Sequence, residues 1–413
     1  MRMQSGIGTK GIAALMINTT FLPSRASALD RLTGFVPAAG RLYAGGRNTD
    51  AGPGHPGAVS KLSPYLRHRL ITEHEVVAGV LARHDLAEAE KFVQEVLWRT
   101  YWKGWLEMRP FVWHRFVEQR DSQREAFKDD RALLDAERGL TGIEGFDDWA
   151  RELMQTGYLH NHARMWFASI WIFTLRLPWA LGADFFLRHL VDADAASNTL
   201  SWRWVAGLQT VGKTYLATAD NIARYTNGRF APRGLATEAV ALTEAAIGPA
   251  CALQDLLPRD PAQPSLLLLT HEDMNPESVF PPSTGFRSVI IASDPAWLWG
   301  DCARQFVDAA SSELALRACS HFNCPAGVIH RLDAATLIAS AKATGVKQII
   351  TPFAPVGPVA DALARLVPVL AQEGITLVAV RRAWDSTFWP HAKKGFFAFK
   401  ERMPDLLREQ GLA

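Results

Sequence analysis

Cysteine is scarce in this sequence, with four residues among 413, all after position 250. A dense disulfide framework is therefore excluded, and we expect a reducing compartment, with the cytoplasm as the location. No apolar run is long enough to cross a bilayer, so we expect no membrane partner. Residues 1–20 carry only a short apolar patch and are interpreted as a flexible N-terminal extension.

Net charge is also small, at +2, but it is unevenly placed. The first 234 residues contain 29 basic and 24 acidic residues, whereas the remainder contains 15 and 18. A mildly basic N-terminal half is compatible with contact to a phosphate backbone. An ordinary solvated surface explains the imbalance equally well, so charge alone leaves both readings open.

The spacing of apolar residues divides the chain into two regions with different patterns of predicted secondary structure. Between residues 62 and 226 apolar side chains recur every three or four positions, as at Val76, Val77, Val80 and Leu81, which predicts helices. One of these is expected to start with Asp147 as its N-cap and to stop at Gly157. We assign residues 21–234 to one helical domain and 235–264, with four prolines, to a linker.

Residues 265–413 have the sequence pattern of an α/β domain, in which short apolar runs alternate with helical patterns. Such alternation predicts parallel strands joined by right-handed crossovers, hence a Rossmann-like domain. The predicted strands are 266–269, 289–291, 328–329, 348–350 and 375–380. The segment 384–407, with aromatics in irregular order, is expected to fold over this sheet. The fold class is therefore multidomain, all-helical and then parallel α/β.

Ten of the fourteen tryptophans lie between Trp98 and Trp204. A large aromatic core is one explanation, because indole buries much apolar area. The other is an electron path to a redox cofactor, and on composition alone the core is the better explanation.

Two polar segments, residues 158–165 and 192–204, favour the explanation that a redox cofactor is bound. The second begins with Asp192, Asp194 and Asn198, and such groups are expensive to bury without partners. Arg164 on a neighbouring helix could pair with one acid, and a flavin ring offers N–H donors and carbonyl acceptors to the others. A purely structural ion-pair network is the alternative.

These two segments, together with residues 59–66 and 95–99, closely resemble the flavin core of the photolyase/cryptochrome family. The four motifs stand in the family's order and span about residues 43–230. The resemblance implies FAD as cofactor and leaves room for a second antenna chromophore of unknown identity. The α/β domain precedes the helical domain in that family and follows it here, so the C-terminal region is expected to be antenna-like.

The resemblance also implies roles for individual residues. The FAD-binding set is Tyr43, Ser60, Leu62, Ser63, Arg99, Arg164, Asp192, Asp194 and Asn198. Position 59 is Val where the family usually has Thr. Trp202 and Trp179 match two members of the family's electron-transfer chain. The third position falls near residues 126–127, where no Trp stands. Either Trp113, Trp166 or Trp171 replaces it, or the electron-transfer chain ends early.

On the substrate side, the residues that match repair enzymes are Glu95, Trp98, Asn161, Met165 and Trp204. A base flipped out of a duplex needs an aromatic platform, which the two tryptophans would supply. The pattern favours a monomeric deoxyribodipyrimidine photo-lyase, a carbon–carbon lyase that acts on DNA containing pyrimidine dimers. A cryptochrome-like blue-light receptor without repair activity is the first alternative, and a helical scaffold whose tryptophans only pack is the second.

Two further motifs are interpreted as coincidental. Residues 207–214 fit the phosphate-loop pattern, but they follow a helical stretch where a buried strand is required. Cys319, His321 and Cys324 do not have a standard zinc spacing, so we expect no metal.

Overall fold

We describe a computed structural model, in which residues 21–55 and 57–412 are placed. The extension predicted for residues 1–20 lies outside the described residues. The first half of the chain is helical. Its helices are α1 (Arg25–Phe35), α2 (Arg41–Gly46), α3 (Ser63–Arg67), α4 (Glu73–Leu81), α5 (Leu86–Glu107), α6 (Phe111–Ala126), α7 (Arg131–Arg138), α8 (Phe146–Thr156), α9 (Asn161–Ser169), α10 (Trp179–His189), α11 (Ala195–Val205) and α12 (Ala219–Tyr225).

Local sequence signals explain where several of these helices begin and end. Helix α4 starts with a capping box, in which Thr72 accepts from the amide of Glu75 and Glu75 accepts from the amide of Thr72. Helix α8 ends at Gly157, whose φ of 66° is the left-handed conformation expected of a C-cap. The predicted N-cap Asp147 is wrong, because α8 begins one residue before it and Asp147 instead accepts from Thr141 and Gly142.

The second half is built on a five-stranded sheet in the order β3-β2-β1-β4-β5, and every paired strand is parallel. The strands are β1 (Ser265–Thr270), β2 (Phe286–Ala292), β3 (Ala326–Ile329), β4 (Gln348–Pro352) and β5 (Thr376–Val380). This order is that of a Rossmann-like half-sheet, with its switch point between β1 and β4. The predicted α/β class is confirmed.

Helices cover both faces of the sheet, which is why β1 reads as an unbroken buried apolar run. The helices between strands are α13 (Asp301–Phe322), α14 (Ala334–Thr344) and α15 (Pro358–Gln372). One apolar core contains the helical region, α13 and the sheet face with Leu267 and Ile291. A second core joins the other face, with Leu266 and Leu268, to α14 and α15. The two regions therefore share a core.

The segment 226–264, all of which the structure describes, contains neither helix nor strand. It lies against the helical region, since Glu244 pairs with Arg203 and the Cys251 amide donates to the Met108 carbonyl. The domain bounds 21–234, 235–264 and 265–413 stay predictions.

The C-terminal segment differs from the expected irregular cover over the sheet. It forms α16 (Ala383–Phe388), α17 (Phe396–Lys400) and α18 (Met403–Glu409). Helices α16 and α17 pack on α5 of the helical region, and Trp384 donates from its indole to Thr100 of α5 at 3.0 Å. Among the described residues the four cysteines are free, and no helix is both long and apolar enough to cross a membrane.

Candidate flavin site

The loop before α3 brings the first predicted site residues next to a buried acid. Ser60 accepts from the amide of Leu62 at 3.3 Å, and the chain then turns into α3 at Ser63. Ser63 contributes to lowering the pKa of Asp192. Tyr43 is buried on α2 and meets Phe92 of α5 edge to face, with ring centroids 5.1 Å apart.

Arg164 and Asp192 form the bidentate pair that the sequence predicted. The two N–O distances are 3.1 and 2.9 Å. The guanidinium also donates to the Leu159 carbonyl at 3.0 Å, which fixes its orientation. Burial alone would raise the pKa of Asp192, but Arg164 outweighs it and lowers that pKa below its usual value. Asp192 is therefore an anion held in place.

Asp194 makes two kinds of contact at the start of α11. Its Oδ1 caps the helix by accepting from the Ser197 amide at 2.7 Å. Its Oδ2 lies 3.0 Å from Arg99 and 3.2 Å from Lys103, both on α5. Burial opposes ionisation, but these cations hold the pKa of Asp194 far below its usual range. Asn198, one turn later, donates from its side-chain amide to the Ala183 carbonyl at 2.9 Å.

Glu95 lies one turn before Arg99 on the same helix. It pairs with Arg47 at 2.7 Å, and its side chain is 32% exposed. Burial raises the pKa of Glu95, whereas Arg47 lowers it, and the net direction is upward. The group is thus an accessible carboxyl with an increased tendency to hold a proton.

The two predicted platform indoles already have stacked aromatic neighbours. Trp98 stacks on Phe396 of α17, with ring centroids 3.6 Å apart and planes at 10°. Trp204 stacks on Tyr215, with centroids 5.7 Å apart. Asn161 is the exposed first residue of α9, and Met165 is half-buried one turn later on the same helix.

The tryptophans predicted to relay electrons are buried in separate aromatic groups. Trp202 meets Trp171 edge to face at 6.1 Å between centroids, and Trp171 is one of the three predicted substitutes. Trp179 packs on Phe116 at 5.7 Å. Phe116 packs in turn on Trp113, which stacks at 5.9 Å on Trp299 of the α/β region. Trp166, the third substitute, stacks on Trp149 instead.

Sequence reasoning missed three charged residues that reach the same place. Lys103 follows Arg99 by one turn, and that spacing on α5 is the signal that could have identified it. Arg67 directly follows the motif at residues 59–66 as the last residue of α3, and this position is the signal that could have identified it. Glu272 carries no such signal, because it lies in the loop after β1, far from the motifs. The structure buries all three beside Asp194.

The residues present suit a flavin dinucleotide in their chemistry. Cations, fixed carboxylates and amides converge from α5, α9 and α11, so donors and acceptors are both available. The Arg99 Nε, although buried, has no hydrogen-bond partner among the described residues. Glu95 and Arg164 keep partial exposure, at 32% and 22% of their side chains. These residues can therefore bind a polar ring and its phosphates while they keep part of their present contacts.

Comparison with known proteins identifies relatives of the helical region. Residues 92–228 match the family described as the FAD binding domain of DNA photolyase. A deoxyribodipyrimidine photo-lyase of Streptomyces griseus is 36% identical over 154 residues, which are 37% of this chain and 33% of the relative. One from Agrobacterium fabrum is 35% identical over 188 residues, 45% of this chain and 38% of the relative. The chain therefore matches well under half the length of either protein.

Two solved structures also align with part of the chain. A class III photolyase from Agrobacterium tumefaciens is 29% identical, covers 49% of this chain and 45% of its own, and has a TM-score of 0.38. A Synechocystis cryptochrome is 22% identical, covers 51% and 44%, and has a TM-score of 0.42.

Proposed function

The helical region of this chain belongs to the photolyase/cryptochrome family, and on that premise we propose that the protein binds FAD and uses light to split cyclobutane pyrimidine dimers in DNA. The proposal rests on the residues that lie together on one face of α5. One helix presents Glu95 and Trp98 next to Arg99, which contacts Asp194. The groups that would bind the lesion and the flavin are thus within one helical turn.

Bound FAD would supply the light-driven electron that opens the cyclobutane ring. The chain's own task is to bind and orient. Arg164, Asp192, Asp194 and Asn198 would hold the isoalloxazine edge, because all four are anchored by contacts that fix their direction. The segment of Tyr43, Ser60, Leu62 and Ser63 would hold the pyrophosphate side.

Glu95 would donate a hydrogen bond to a carbonyl of the dimer. A carboxyl can donate only when protonated, and burial favours that form by raising its pKa. Arg47 would keep the carboxyl directed along α5. Trp98 and Trp204 would hold the flipped dimer by stacking, with Asn161 and Met165 at its edge.

The test compares Glu95→Ala, which removes the hydrogen-bond donor, with Glu90→Ala on the same helix. Glu90 has similar side-chain exposure, 35%, and pairs with Lys400 at 2.9 Å, so it controls for loss of an ion pair on α5. Protein reconstituted with FAD and reduced is illuminated with an oligonucleotide that contains one thymine dimer, and restored thymines are counted. We expect at least a tenfold lower repair rate for Glu95→Ala at unchanged FAD content, which is about 1.4 kcal/mol in activation free energy. Equal rates for both variants would contradict the role of Glu95.

A cryptochrome-like receptor without repair activity is a second candidate, and one contact favours it. The Phe396 ring covers one face of Trp98 at 3.6 Å, where a base could otherwise stack. The same assay separates the two candidates, because a receptor would bleach and recover its flavin in light without restoring thymines. Phe396→Ala that gains repair from an inactive parent would identify α17 as a cover.

A further inference from the structure

The strand ends of the α/β region face the candidate flavin site. In open parallel sheets the crevice at the carboxyl ends of the strands, at the switch point, is the usual place for a ligand. Here that crevice lies between the loops after β1 and β4, which contribute Glu272, Pro355 and Val356. Across from them lie Lys103 and Asp194 of the helical region. The enclosed space is about 10 Å³, room for no more than about one water.

Glu272 is the group through which this crevice is joined to the helical region. Its two oxygens accept from the two terminal nitrogens of Arg67 at 2.7 and 2.8 Å, a bidentate pair. Lys103 Nζ lies 3.7 Å from Glu272 and 3.2 Å from Asp194. Arg67 also donates to the Ala193 carbonyl at 2.5 Å and lies 3.9 Å from Asp194. Both cations that Glu272 contacts therefore also contact Asp194 or its neighbour.

We propose that Glu272 is a positioning residue for flavin binding, which acts by holding Arg67 and Lys103 and through them Asp194. This inference rests on the proposed function in so far as Asp194 is taken to contact FAD. Three cations, Arg67, Arg99 and Lys103, surround Asp194. Without the Glu272 charge, Arg67 and Lys103 would have Asp194 as their nearest acid, and the carboxylate would be drawn toward the crevice and away from the flavin.

The α/β region would thus complete the flavin site with a charge instead of binding a ligand of its own at the switch point. Because the carboxylate belongs to the loop after β1, its position depends on docking of the two regions. A matched residue exists for the test. Asp385 is also a buried acid of the α/β region, and it pairs bidentately with Arg69 of the helical region at 2.7 and 2.8 Å. Among the described residues its side chain forms hydrogen bonds with Arg69 and with none of Asp194, Arg67 and Ala193.

The experiment measures FAD affinity of the full-length apoprotein by quenching of flavin fluorescence, with the visible spectrum of the bound flavin as a second readout. We expect Glu272→Gln to weaken FAD binding by at least about tenfold and to alter the flavin spectrum. Asp385→Asn should change affinity by less than about threefold, and Glu272→Asp, which keeps the charge, should lie between wild type and Glu272→Gln. Circular dichroism establishes that each apoprotein is folded.

Three results would overturn the inference in distinguishable ways. FAD binding by Glu272→Gln within threefold of wild type shows that Asp194 does not need Glu272. Equal weakening by Asp385→Asn shows a general effect of interface loss. Wild type that binds no FAD refutes the proposed function and this inference with it. Should Glu272→Gln fail to fold, Arg67→Lys, which keeps the charge and loses the bidentate fork, must show the same weakening, and unchanged affinity there would reject the idea.

Discussion

The buried Arg164–Asp192 pair of the helical region differs from the buried charges where that region meets the α/β region. Asp192 has a single ion-pair partner among the described residues, Arg164. Where the regions meet, buried charges form a connected group in which Arg67, Lys103, Asp194 and Glu272 share partners. The single pair lies within one region, whereas the Glu272 contacts of the shared group exist only when the regions are docked. Loss of the single pair should therefore act within the helical region, and loss of the Glu272 contacts should weaken docking.

The largest effect should come from breaking the single pair. Arg164→Leu leaves Asp192 buried without its cation, and removal of one partner from a buried pair costs about 3–5 kcal/mol. Urea unfolding of the apoprotein measures this loss. Arg164→Lys, which keeps the charge, should lose clearly less. A loss below about 1 kcal/mol for Arg164→Leu would mean that water or another cation replaces the pair, and the contrast between the regions would weaken.

The second largest effect is expected from acid, which should weaken the shared group around Glu272. Burial would raise the pKa of Glu272, but Arg67 and Lys103 outweigh it and lower that pKa to about 2 from 4.5. Because the folded state binds the proton less readily, the stabilisation is complete above about pH 4.5 and is lost as pH falls toward 2. The shift corresponds to on the order of 3 kcal/mol.

Unfolding of wild type and Glu272→Gln as a function of pH measures that contribution. Glu272→Gln should be less stable at pH 7, and the difference should shrink between pH 4.5 and pH 2. A difference that stays constant over this range would show that the Glu272 charge is not what stabilises the docked state.

The sequence predicted the contents of each region far better than the contacts between them. The parallel sheet and the stop at Gly157 follow from periodicity and turn chemistry, which are local signals. The Arg164–Asp192 pair is what the family resemblance implies. Glu272 lies 205 positions from Arg67, and alone it resembles any acidic residue after a strand. The Phe396–Trp98 stack is similarly invisible, since nothing in the C-terminal sequence specifies α5 as its partner. Docking geometry decides both, and no periodicity encodes it.

A close approach between the regions offers a smaller perturbation. A Cβ on Gly104 of α5 would lie 2.8 Å from the Trp389 Cα, a backbone atom that cannot move aside cheaply. Gly104→Ala should therefore cost about 1–3 kcal/mol despite the higher helix propensity of Ala.

Gly79 of α4 is the matched control. A Cβ there would meet the Leu32 and Val36 side chains at ordinary distances of 3.7 and 3.9 Å. Gly79→Ala should be neutral or stabilising by up to about 1 kcal/mol, as expected for a helix interior. The two variants are compared by thermal unfolding, and equal shifts in both would show that α5 and Trp389 are less tightly packed than the distances indicate.

The smallest effect is expected at the N-terminus of α4, where a helix cap also contacts the α/β region. Thr72 caps α4, and the box residue Glu75 also accepts from Asn275 of the α/β region at 3.1 Å. Thr72→Ala should cost about 1 kcal/mol, the usual value of an N-cap. If cap and interface are independent, Thr72→Ala and Asn275→Ala should add to within about 0.5 kcal/mol in urea unfolding. A larger coupling energy would mean that docking of the α/β region orients the Glu75 carboxylate for its cap, and the distinction between local and docked charge would fail at α4.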